Sequence, residues 1–119
     1  MEFMIIINEL FDNAMAASNG DLLREKLEII FNSNENATII LDFLDIELYA
    51  TPFFNRSTGY FFIKFGGEEI YNSKIKVINL DTLGTETYEY SLETARQLLA
   101  KKISEQSISN ILKNEDEEE

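Results

Sequence analysis

The chain has 119 residues, 45% of them hydrophobic, enough for one globular core and too few for two. It carries no cysteine and no histidine, which excludes disulfides, thiolate nucleophiles, cysteine-bound metals and the usual general base at neutral pH. The net charge of -12, with no clustered Lys/Arg stripe, disfavours nucleic acid and anionic membranes as partners.

Phe3 to Ile7 is a β-branched apolar run too short for a helix, so a first strand is expected at 3–7. The opening segment lacks a basic leader and a small-residue cleavage site, which reads as a strand and not a signal peptide. No stretch approaches the roughly 20 apolar residues of a membrane span, and a cytoplasmic protein is expected. Ser18 followed by Asp21 has the form of a capping box and predicts a helix from about 19. Leu23, Leu27, Ile30 and Phe31 give that helix one apolar stripe, and the run Asn32-Ser33-Asn34-Glu35-Asn36 ends it.

Ala37 to Phe43 is nearly continuous in apolar residues, which predicts a central strand covered on both faces and a deeply buried Ile40. A second helix is expected from about 52, with Phe54, Thr58, Phe61, Phe62 and Phe65 on one face and Gly66-Gly67 as its stop. Lys74 to Leu80 is a third strand whose alternating lysines suit an edge. Thr85 to Tyr90 fits a short strand or an extended loop equally well, and a long helix is expected from 91. The order is β-α-β-α-β-α, an α/β fold with a small mixed or mostly parallel sheet and helices packed against it. One domain over 1–113 and a disordered acidic tail over 114–119 complete the expected organisation.

The candidate site is the junction after the central strand. Thr51 precedes Pro52, the one proline of the chain, and can cap a helix whose first turn tolerates proline. The same position suits a phosphate, which would add about -1.5 to -2 charges beside a docking surface. Tyr49, Phe53 and Tyr60 lie off the main apolar stripe; they belong to a core or, if exposed, to a protein-binding surface. Asp42, Asp45 and Glu47 are the residues for Mg²⁺ binding or phosphoryl acceptance, although solvated acids in a turn are ordinary.

The segments Ser18 to Leu27, Ile39 to Phe43, Leu48 to Phe53 and Lys74 to Leu80 together resemble the bacterial STAS-like family. The resemblance spans roughly residues 3 to 100. It implies the fold of the anti-sigma-factor antagonists and a non-enzymatic regulator that docks on a histidine-kinase-like ATPase or an anti-sigma factor. In those antagonists an Asp-Ser pair begins the helix, and phosphorylation of the Ser blocks binding. Thr51 falls on that Ser position and Ala50 on the Asp, while Asn55 and Arg56 stand where acids are expected. The site implied is thus Tyr49, Thr51, Pro52, Phe53, Asn55 and Arg56, with no cofactor and no metal. Two other functions fit the composition: an acidic decoy for a basic nucleic-acid-binding cleft, and a carboxylate-dependent Mg²⁺ or phosphoryl-transfer protein.

Overall fold

The computed structural model describes the side chains of residues 1–106 and the backbone as far as Glu118. The expectation of a disordered acidic tail at 114–119 lies outside the described side chains. Three strands, β1 (Glu2–Ile6), β2 (Thr38–Asp42) and β3 (Ile75–Ile78), form a parallel sheet in the order β1-β2-β3. Met4 stands beside Ile40, and Ile40 beside Lys76, so the register is continuous across the sheet. Parallel strands need crossovers, and helices supply them. The first crossover holds α1 (Ile7–Leu10) and α2 (Ala17–Ser33); the second holds α3 (Thr51–Arg56), α4 (Thr58–Lys64) and α5 (Glu68–Lys74). The chain then enters α6 (Thr82–Glu118). The α/β class and the parallel sheet are as the sequence predicts.

The sheet has one covered face. Ile39, Leu41, Phe43 and Ile75 are buried in the core with Leu23 and Leu27 of α2 and Phe53, Phe54, Phe61 and Phe62 of α3 and α4, and Phe3, Ile5 and Val77 pack against them. Side chains alternate along a strand, so Met4, Ile6, Ile40, Lys76 and Ile78 turn to the opposite face. There Met4 is 57% exposed, and Ile6 and Ile78 are each 37% exposed. Two-sided cover for β2 and deep burial for Ile40 are therefore corrected: Ile40 is half-buried. A continuous apolar run does not distinguish a doubly covered strand from one whose second face stays apolar and open.

Several local expectations change as well. Helix α2 starts at Ala17 after Ala16, with no side-chain capping bond, so the Ser18–Asp21 capping box does not form. Asp21 instead faces the guanidinium groups of Arg24 at 3.2 Å and Arg56 at 3.7 Å. The single helix expected from 52 is broken at Ser57. Its hydroxyl bonds back to the Phe53 carbonyl at 2.8 Å and that of Thr58 to Phe54 at 3.4 Å, a competition that bends helices. Gly66 (φ +80°) and Gly67 (φ +124°) end α4 in a conformation that other residues adopt poorly, as expected of a helix stop. Residues 85–90 form neither strand nor loop; they lie inside α6.

Candidate functional site

The site is built where β2 ends. Asp42 accepts a hydrogen bond from the Leu44 amide at 2.9 Å and another from the Asn79 side chain at 2.9 Å, closing the ends of β2 and β3 together. Its carboxylate is thereby engaged in holding the turn. Asp45 follows at φ 66°, a left-handed turn position that Asp tolerates. Among the described residues no group of three or more His, Cys, Asp or Glu is placed to hold a metal ion.

The chain then runs through Leu44 and Leu48, 55% and 56% exposed, to a clip that fixes the next helix. Ala14 donates its amide to the Leu48 carbonyl, and Ala50 donates to the Ala14 carbonyl, each at 2.9 Å. This bridge holds Ala50 in an extended conformation, and α3 begins immediately afterwards. Ala50 is the cap residue, Thr51 is the first helical residue, and no side chain caps the helix. The capping role expected of Thr51 is thus corrected. The clip comes from a segment more than thirty residues away, beyond what a local capping pattern can reveal.

Helix α3 is divided cleanly by its own period. Phe53 and Phe54 are fully buried, whereas Pro52, Asn55 and Arg56 are exposed and Thr51 is half-buried. Residues four apart share a helix face, so Thr51 lies with Asn55 and Pro52 with Arg56. Phe53 is core, packed edge-on to Phe11 at 5.9 Å and Phe43 at 6.3 Å. Tyr49 is 8% exposed, donates its hydroxyl to the Ile46 carbonyl at 2.9 Å and stacks on Phe54. Burial, and next the nearby charge of Asp81, pushes its pKa up to about 12. Both aromatics support the site from beneath and do not belong to its surface. Tyr60 is half-buried, with the Arg24 guanidinium 5.2 Å and the Lys64 ammonium 5.8 Å from its ring centroid.

Three neighbours set the height of α3. On the α2 side, Gly20 lies so close that a Cβ there would come within 2.5 Å of the Phe53 carbonyl oxygen. On the α6 side, Ser91 donates to the Asn55 side-chain oxygen at 2.6 Å. Below, Gly84 of α6 lies against the face of Tyr49, where any Cβ would meet the ring. Gly20, Gly84 and Ser91 position the site, and neither helical period nor capping pattern marks them for that role. Asp81, directly before α6, accepts the Gly84 amide at 2.7 Å and so caps that helix, and an Asp ahead of Thr82 is the signal that could have placed the helix start there.

No helix among the described residues is long and apolar enough to cross a membrane. Comparison with curated proteins and with solved structures finds no match for this chain. The family model for a STAS-like domain of unknown function (DUF4325) matches residues 19–84, from the first turn of α2 through β2 and β3 to the start of α6. With more than half of the chain matched, and the junction between β2 and α3 inside the matched part, the protein belongs to this family of STAS-like domains.

Proposed function

We propose that the chain is a non-enzymatic regulatory domain that binds a protein partner through the outer face of α3 and the loop that leads into it. The division of α3 carries this reading: its phenylalanines anchor it, while Thr51, Pro52, Asn55 and Arg56 are left on the outside. Exposed Leu44 and Leu48 add apolar area next to polar groups, the mixture that docking surfaces use. Family membership supports a partner of the histidine-kinase-like ATPase or anti-sigma-factor class, as the STAS resemblance implies. The Thr51 side chain is not engaged as a cap, so a phosphate could be added there without dismantling the helix start. About two negative charges in the centre of the docking face would then repel an acidic or apolar partner surface.

The test is site-specific photo-crosslinking in the native host, with the probe at Pro52, at Leu48 and, as a control, at the exposed Ile70 of α5. A single protein crosslinked from Pro52 and Leu48 but not from Ile70 is the expected result. Purified with this chain, that protein should bind wild type and bind Thr51→Glu at least tenfold more weakly. Equal crosslinking from all three positions, or none from Pro52 and Leu48, would refute the docking face. Equal binding by Thr51→Glu would remove the switch and leave the face.

A further inference from the structure

The first strand is an unguarded edge. β1 has β2 on one side and no described strand on the other. The Thr38 amide donates to the Met1 carbonyl at 3.0 Å, which fixes the direction of the ladder. Along a strand the backbone groups alternate sides, so Phe3 and Ile5 face β2, and Glu2, Met4 and Ile6 present their N–H and C=O groups outward. Soluble proteins guard such edges with lysine, proline, bulges or very short strands. β3, the other edge, is four residues long, carries Lys76 and follows directly on Lys74 at the end of α5, whereas β1 has no lysine, no proline and an unbroken register over five residues.

A groove of about 420 Å³ runs beside this edge, between β1 and α2, lined in part by Met4, Ile5, Leu10, Ile29 and Ile30. Ile29 is 66% exposed, and Leu22, two turns earlier on α2, is 50% exposed. The charged residues lining the groove are one acid, Glu9, and one base, Lys26. In a chain of net charge -12 this groove is locally neutral. That matters for the choice of occupant, because two copies of so acidic a chain can approach only through a surface free of its own excess charge.

We infer that a second copy of this chain covers the edge, β1 pairing antiparallel with β1 of its partner about a two-fold axis perpendicular to the sheet. Such an axis makes the strand its own complement, as an isologous interface requires. With Met4 opposite Met4 at the centre, Glu2 of each copy falls opposite Ile6 of the other. The two Glu2 residues are then about 14 Å apart along the seam, beyond the screening length of about 8 Å at physiological salt. The axis keeps the helices of both copies on one side, so Leu22 and Ile29 of the two α2 helices flank the seam. The joined sheet has six strands, with β3 and its Lys76 at both outer edges.

Multi-angle light scattering of the full chain over a concentration series tests the assignment. Wild type should move from the mass of one chain to that of two as concentration rises. Met4→Pro removes an outward N–H without touching the β1–β2 ladder. It deletes two seam bonds per dimer and should weaken association by about 30-fold. Ile29→Glu, at an exposed helix position, tests the seam independently should Met4→Pro fail to fold by circular dichroism. Leu98→Glu, exposed elsewhere on α6, should leave the dimer unchanged. A single-chain mass up to about 1 mM overturns the assignment. So does a dimer that Ile29→Glu leaves intact, or one that Leu98→Glu breaks.

Discussion

On one face of the sheet Leu41 is sequestered among Ile39, Phe43 and the phenylalanines of α3 and α4; next to it in sequence, Ile40 points to the other face and stays half open. Both residues are large, apolar and β-branched or γ-branched, and both sit in the middle of the central strand. Their environments differ because helices pack on one side only. Hydrophobicity of a strand residue therefore says that it can be buried; the crossovers decide whether it is. The covered face stores the stability of the fold, and the open face and edge stay exposed among the described residues.

Truncation on the covered face should give the largest effect. Phe43 contacts the rings of Tyr49, Phe53 and Phe54, and Phe43→Ala should cost about 3–5 kcal/mol in urea unfolding. A loss near 1 kcal/mol would mean that the helix layer is loosely packed and the contrast between faces is weak. A smaller cost is expected where the helix layer is tied by polar atoms. The hydroxyls of Tyr71 and Tyr88 meet at 2.6 Å, and Tyr71→Phe should cost about 1–2 kcal/mol by leaving Tyr88 unpaired.

The same pair makes stability depend on alkaline pH. Burial raises the Tyr71 pKa well above the ordinary value, and pushes that of Tyr88 up to about 12. In the unfolded chain both lose their protons near 10. The folded state then holds more protons than the unfolded state, so stability is fully present below pH about 10 and falls as pH rises towards 12. Melting temperature against pH should show this fall, and Tyr71→Phe should make it shallower. An equally steep fall in the variant would assign the alkaline transition to other groups.

On the open face Ile40→Ala should cost about 1 kcal/mol or less, the loss of a half-buried strand residue. A cost of several kcal/mol in dilute, single-chain samples would show that this face is covered after all. Smallest of all is Thr51→Ala, expected within about 0.5 kcal/mol because the side chain caps nothing. A loss above about 1 kcal/mol would restore its capping role.

The three strands were legible because short β-branched runs bounded by polar segments have few other uses. The stripe of Leu23 and Leu27 and the aromatic face of Phe54, Phe61 and Phe62 were legible for a similar reason: burial follows the helical period. The first turns of α6 were not, since Thr85, Thr87, Tyr88 and Tyr90 favour strands by propensity. Tertiary contact overrides that preference, with Gly84 seated on Tyr49 and Tyr88 packed on Phe54 and bonded to Tyr71. The site was half legible. Its place after the central strand followed from sequence, as did Thr51 and Pro52. Tyr49 and Phe53 proved to be foundations, and the clip from Ala14 is a backbone contact that no side-chain pattern records.

The close seating of α3 has a consequence for how this surface tolerates change. At Gly20 and Gly84 the neighbouring atoms occupy the space that a methyl group would need. These positions contribute by having nothing there, so a scan that deletes side chains would pass over both and report a surface held only by its phenylalanines. Mutation by addition would read it correctly. A single methyl at Gly20 has the Phe53 carbonyl in its way and would lift α3 off α2, displacing Thr51 and Pro52 without altering either residue.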